Sequence, residues 1–265
     1  VKPGVQYHLV YGWVKLKHGK MSSRSGNVVL GEWLLDEAKK AIYGILEKSE
    51  SKYTKELQEE IAEKAAVAAV KYAFLKVSTT SEIAFDIKES VNFQGDSGPY
   101  LQYTYARARS VLRKARGEST KHEARNSKQI LNEEISKVSN VSNLGHLDFD
   151  IVSDFDIRIS NLNVEERAVL RLLTHFPDVV AEAAGELSPS TLCTYLFKLA
   201  SAFNLFYAKH TILETQDLGL RTRSFPTSYV LRPTSASLRL SLTAATAQVL
   251  KNGLYLLGIE VLEQM

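Results

Sequence analysis

At 265 residues the chain is long enough for about two domains, each able to bury a core of its own. Its 45% hydrophobic and 24% charged residues match an ordinary soluble protein, and a net charge of only +3 means that any grip on nucleic acid must come from local clusters of cations. One cysteine, Cys193, excludes an internal disulfide and a thiolate metal cage, and Lys71 and Lys76 break the most apolar run before it reaches membrane-spanning length.

Residues 5–16 alternate with the period of a strand (Val5, Tyr7, Leu9, Tyr11, then Val14 and Leu16), broken at Gly12. They carry no signal-peptide pattern, and because the chain opens inside a strand-like run it reads as a piece of a longer protein. A polar loop bounded by Gly19 and Gly26 follows, then a short apolar run, Val28 to Leu30. Two helices are expected next. The first runs from about Glu32 to Lys48 with Leu34, Leu35, Ala38, Ile42 and Ile45 inward. The second runs from about Thr54 to Val77 with Leu57, Ile61, Ala65, Ala68, Tyr72 and Leu75 inward. Residues 78–94 keep no helical period and carry β-formers (Ile83, Phe85, Ile87), so an extended connection is expected there.

The best-marked element runs from Asp96 to Gly117. Asp96 or Ser97 can cap it, Pro99 suits its first turn and Gly117 a left-handed stop. At ~100° per residue, Leu101, Tyr105, Ala108, Leu112 and Ala115 share a face expected to be core. Tyr100, Tyr103, Arg107 and Lys114 form a second stripe, and Arg109, Arg113 and Arg116 a third, with no acid before Glu118. Aromatics and cations away from the core face suit stacking on unpaired bases while gripping phosphates. The alternative is a solvated basic face with tyrosines at the core margin.

Beyond Gly117 the composition turns polar, and residues 118–160 read as an insertion. Asp148, Asp150, Asp154 and Asp156 suggest a calcium loop, but its glycine and closing glutamate are missing, so no metal is expected. Helices resume from Val164 to about His175, with a short one to Gly185. Ser188 and Pro189 then start a long helix whose Leu192, Leu196, Leu199, Phe203, Phe206 and His210 share a seam. His210, without a second ligand near it, is expected to be a hydrogen-bonded residue at the core edge, and Cys193 a buried structural thiol of a reducing compartment. A loop at 215–234 precedes the last helix, which starts near Ser235, runs from Leu238 to Leu257 and stops at Gly258. No internal repeat is visible.

The loop Lys20-Met21-Ser22-Ser23-Arg24 resembles the KMSKS signature of class I aminoacyl-tRNA synthetases, with Ser23 where the second lysine would stand. A cationic loop flanked by glycines suits closure over a triphosphate. A Walker A loop is excluded, because Gly12 lies too far from Gly19 and Lys20. The segment Asp96 to Arg109, with Gly-Pro-Tyr-Leu-Gln-Tyr at 98–103, resembles the opening of the anticodon-binding domain of arginyl-tRNA synthetases. Residues 200–207 resemble that domain's aromatic helix, and residues 238–259 with Met265 its last helix and tail. Ala236-Ser237-Leu238-Arg239 stands where its name-giving Asp-Ala-Leu-Arg would be, without the aspartate.

The resemblance implies a mainly α chain. Residues 1–48 would end a class I Rossmann-type catalytic domain, 49–97 would form a helical connection facing the tRNA stem, and 98–265 an all-α anticodon-binding bundle. It implies an ATP-binding loop of Lys20, Met21, Ser22, Ser23 and Arg24, with Lys20 and Arg24 catalytic. It implies tRNA contacts at Tyr100, Tyr103, Arg107, Lys114, Asn204, Tyr207 and Met265. The parent enzyme would be a cytoplasmic, monomeric arginine–tRNA ligase acting on arginine, ATP with Mg²⁺ and tRNA(Arg), without a membrane partner. The family's HIGH-type histidines have no counterpart here, so the chain alone is expected to be inactive. The competing readings are a stand-alone tRNA-binding factor or split-enzyme subunit, a helical interaction module, and a related class I enzyme for cysteine or methionine.

Overall fold

In the computed structural model the described residues are 8–16, 30–48, 53–115, 162–213 and 235–265. The expectations for the Lys20–Arg24 loop, the 118–160 insertion and the 215–234 loop fall outside them.

Two short strands, β1 (Val14–Leu16) and β2 (Ile83–Phe85), pair in parallel, with Val14 opposite Ile83 and Leu16 opposite Phe85. Ahead of β1 the backbone continues this pairing without regular strand geometry: Gly12 N–H donates to Thr79 O at 2.8 Å. The break at Gly12 has a steric cause, since a Cβ there would lie 2.0 Å from Ser81 O. The expected strand over 5–16 is therefore regular only at 14–16 among the described residues. Residues 78–94 hold β2 and a one-turn helix, α3 (Ile87–Ser90), whose Asp86 cap accepts from Glu89 N–H at 3.2 Å.

Between the strands lie α1 (Gly31–Lys48) and α2 (Lys55–Leu75). On α1 the buried row is Leu34, Ala38, Ile42 and Leu46, while Leu35 and Ile45 are exposed, contrary to expectation. A single i, i+4 row suffices because α1 meets mainly one partner, α2. Helix α2 starts at Thr54, whose hydroxyl accepts from Leu57 N–H at 3.4 Å. Its alanines at 62, 65, 66, 68, 69 and 73 are buried, so neighbours approach it closely on more than one side. It consequently serves two cores. One joins α1 to α2 with Phe85, Val91 and Leu262. The other takes Ala68 and Tyr72 into a bundle of α4 (Gly98–Ala115), α5 (Val164–Thr174), α7 (Pro189–Lys209) and α8 (Ser235–Leu256). The short α6 (Phe176–Gly185) packs its apolar side on α7 and adds Phe176, Val179 and Val180 to the margin.

Ser97 caps α4, accepting from Tyr100 N–H at 3.2 Å, which frees Asp96 to take the Tyr72 hydroxyl at 2.6 Å. The α4 core face is wider than its apolar stripe: Gln102, Thr104, Ala106 and Val111 are buried, whereas Leu112 is half-buried. Cys193 is fully buried, and burial followed by the Asp96 charge pushes its thiol up to about 12. The last helix ends as expected: Gly258 is left-handed (φ 67°), and Ile259 N–H bonds back to Leu254 O at 2.9 Å.

Candidate nucleic-acid interface

The second stripe of α4 faces α7 across a polar seam centred on Asn204. Its Oδ1 accepts from Arg107 Nη1 at 2.5 Å, and its Nδ2 donates to the Tyr100 hydroxyl at 3.0 Å and to Thr104 Oγ1 at 2.9 Å. Both amide hydrogens and the carbonyl are thus engaged, and the guanidinium, which only donates, fixes which way the amide points. Arg107 also donates from Nη2 to the Tyr103 hydroxyl at 2.9 Å. Its guanidinium carbon lies 4.7 Å from the Tyr103 ring centre and 5.1 Å from that of Tyr207, so the cation bridges two aromatic faces. Tyr207 is exposed (39%), while Tyr103 and Arg107 are half-buried.

Tyr100 stands apart from that pair. It is half-buried, its ring lies 5.7 Å from Phe197, and its hydroxyl is 3.4 Å from Ser201 Oγ as well as bonded to Asn204. It helps to close α4 on α7. Lys114 is exposed two turns beyond Arg107, on the same stripe of α4.

The opposite side of α4 grips the C-terminal tail. Gln102 donates to Glu260 O at 2.7 Å, Tyr105 to Glu263 Oε1 at 2.7 Å, Arg109 to Glu263 Oε2 at 2.9 Å and Arg113 to Glu263 O at 2.8 Å. At ~100° per residue these four positions lie about half a turn from Tyr100 and Arg107. Arg109 and Arg113, two cations of the third stripe, are thus neither solvated nor turned to a phosphate but hold protein. Burial, then Glu263, pushes the Tyr105 phenol up to about 12; burial opposes the Glu263 charge, but Tyr105 and Arg109 outweigh it and keep that carboxyl low. Met265 packs against the α1–α2 core, so it is not brought to Tyr103, Arg107 and Tyr207.

A third polar cluster ties the start of α5 to the ends of α7 and α8. Arg239 Nε donates to Glu166 Oε1 at 2.7 Å and its Nη1 to Thr211 O at 2.8 Å. Glu165 takes Lys209 at 2.5 Å and His210 at 3.1 Å. Lys209, then His210, brings the Glu165 carboxyl down to about 2. His210 stacks on Phe206 at 5.7 Å and is, as expected, a hydrogen-bonded residue at the core edge. The arginine of Ala-Ser-Leu-Arg is therefore a clamp between helices. Thr104 and Ser201 were not singled out in the sequence. Thr104 lies one helical turn past Tyr100, which is the only sequence signal that places it on this seam.

Tyr103, Arg107 and Tyr207 together form a cationic aromatic surface suited to an unpaired base and its phosphate. Among the described residues no group of three His, Cys, Asp or Glu side chains could hold a metal ion.

Residues 101–265 match the family model of the DALR anticodon binding domain, and residues 4–87 that of tRNA synthetases class I (R), catalytic domain. An arginine–tRNA ligase of Clostridium perfringens is 34% identical over 258 residues, covering 97% of this chain and 37% of its own length. One of Pyrococcus furiosus is 32% identical over 264 residues, 98% of this chain and 35% of its own. The arginyl-tRNA synthetase structure from Thermus thermophilus superposes with a TM-score of 0.64 at 30% identity, over 96% of this chain and 35% of that one. The one from Plasmodium falciparum shares the fold, with a TM-score of 0.62 at 20% identity. The chain spans about a third of the length of the curated relatives it matches.

Proposed function

We propose, from the premise that the chain belongs to the DALR anticodon binding domain family, that it is the anticodon-binding and signature-loop portion of an arginine–tRNA ligase. The observation that carries this reading is the Arg107 guanidinium set between the Tyr103 and Tyr207 rings. A base unstacked from its neighbours gains about 1–3 kcal/mol on such a platform, and the cation answers the phosphate beside it. Lys114 extends the positive stripe along the RNA backbone.

The parent enzyme would join arginine to the 3′ end of tRNA(Arg) through an adenylate made from ATP. In that reaction Lys20 and Arg24, in the loop Lys20-Met21-Ser22-Ser23-Arg24, would stabilise charge on the departing pyrophosphate. Mg²⁺ would come with ATP, since this ion is held largely by phosphate oxygens and water. We place the enzyme in the cytoplasm as a monomer; no helix among the described residues is long and apolar enough to cross a membrane. The same platform would serve a stand-alone tRNA-binding subunit, and the Lys20–Arg24 loop favours the ligase, because a pure binding module has no use for a triphosphate loop.

The test is titration of Tyr103→Ala and Tyr207→Ala against an arginine anticodon stem-loop and one with an altered anticodon. Each variant should bind the cognate loop roughly 5- to 150-fold more weakly, the ratio equivalent to ~1–3 kcal/mol, with an unchanged melting transition. Discrimination that survives in both variants would place the reading surface elsewhere.

A further inference from the structure

We infer that Asn204 is a positioning residue that never needs to touch RNA: it holds Arg107 between Tyr103 and Tyr207 so that the rest of the guanidinium faces an RNA phosphate. The inference rests on reading the platform as an RNA surface. Both hydrogens of the Asn204 amide are committed within the protein. A primary amide offers two hydrogens and one carbonyl, and here the hydrogens go to Tyr100 OH and Thr104 Oγ1 and the carbonyl to Arg107. Thr104 in turn donates to Tyr100 O at 2.9 Å, so its oxygen is an acceptor for Asn204 and cannot reverse the amide. Donating to a base would cost Asn204 one of its two half-buried Nδ2 bonds, whereas leaving them intact costs nothing.

Arg107 is in the opposite position. A guanidinium has five N–H groups. Among the described residues one bonds to Asn204 and one to Tyr103, leaving Nε–H and one hydrogen on each terminal nitrogen. Two bonds and two rings determine where that remaining edge points. A mobile arginine would have to lose the rotamer freedom of a long side chain on binding. The Asn204 amide removes that cost before RNA arrives. Neutral Asn204 also leaves the full positive charge available, which a carboxylate at the same place would cancel.

The experiment is a double-mutant cycle on the full chain, read by binding of an arginine anticodon stem-loop over a range of salt. Arg107→Ala should weaken binding about 10- to 100-fold, the loss expected of one charge-assisted contact, and lower the salt slope by about one phosphate. Asn204→Leu should produce a similar loss, and adding it to Arg107→Ala should cost less than about twofold more. Asn204→Asp keeps an acceptor for Arg107 and guards against a misfolded leucine variant. It sets an oxygen against Thr104 Oγ1 and so should melt somewhat below the parent, yet it should still unfold cooperatively and lower the salt slope as Arg107→Ala does. Additive losses from Asn204→Leu and Arg107→Ala would overturn the inference, because Asn204 would then contact RNA or support the fold independently. An Asn204→Asp variant with the parent salt slope would overturn it too. If Arg107→Ala itself binds like the parent, the reading of the platform fails and the inference falls with it. A loss of cognate preference without a change of slope would assign Arg107 to a base edge and sink the phosphate assignment.

Discussion

Gly98 sits directly on the backbone of Ala68: a Cβ on Gly98 would lie 2.2 Å from Ala68 O and 2.6 Å from its carbonyl carbon. This contact sets the first turn of α4 against the middle of α2, and so relates the bundle to the α1–α2 pair. Neither backbone can yield as a flexible side chain would. Gly98→Ala is therefore expected to destabilise the fold by about 3 kcal/mol, the upper range for overpacking a tight site, although alanine is the better helix former. Thermal unfolding measures it, and a variant that melts with the parent would show that the two helices can separate freely.

Acid should loosen the junction of α5 with α7 and α8. Glu165 is held at about 2 by Lys209 and His210. Burial opposes the charge on Glu166, but Arg239 and the Asn163 N–H overcome it and hold that carboxyl low as well. Groups depressed in the folded state contribute stability above their ordinary value, near 4.5, and lose it as pH falls through the folded value. Urea unfolding should thus show declining stability from pH 4.5 toward about 2. Arg239→Met leaves Glu166 buried and unpaired, at a cost of roughly 3–5 kcal/mol near neutrality. That deficit should shrink in acid, where Glu166 is protonated. A deficit independent of pH would mean that Arg239 matters through packing alone.

The tail offers a milder test. Glu263 joins Tyr105, Arg109 and Arg113, but half of its side chain is exposed, so solvent screens the pairs. Glu263→Gln should cost about 1 kcal/mol or less and speed hydrogen exchange across residues 259–265. The Tyr105 phenol is raised, so its share of stability is complete below the ordinary value near 10 and disappears as pH climbs through about 12. A phenolate absorbance titration of Glu263→Gln against the parent should show one tyrosine ionising earlier. Identical titrations would show that Glu263 does not bear on Tyr105.

The helices were legible because their borders carry local signals. Thr54, Ser97 and Gly258 cap or stop their helices through bonds that involve only near neighbours in the chain. What the sequence withheld depends on partners distant in the chain. Arg109 and Arg113 look like free cations until Glu263, some 150 residues later, returns to them. Leu35 and Ile45 fit the apolar period of α1, but only the row that meets α2 is buried. The stripe of Tyr100, Tyr103 and Arg107 was visible, whereas the different fates of its two tyrosines follow from Phe197 and Asn204 on another helix.

Changes in the segment Lys20–Arg24, which precedes α1 in the chain, should separate chemistry from binding. Lys20 and Arg24 are the cations of a glycine-flanked segment that resembles the KMSKS signature, with Ser23 where the second lysine would stand. In a full-length ligase carrying this segment, Lys20→Ala or Arg24→Ala should slow adenylate formation while tRNA affinity stays near the parent's. The asymmetry follows from where charge develops: the pyrophosphate gains negative charge in the transition state, and the proposed RNA platform on α4 and α7 is built from other residues. Losing one charge-assisted phosphate contact is worth ~1.5–3 kcal/mol, or about one to two decades in rate. If only one cation inherits the lysine's role, the two variants will differ by that amount. ATP–pyrophosphate exchange at parental rates in both would show that the loop does not act on the triphosphate.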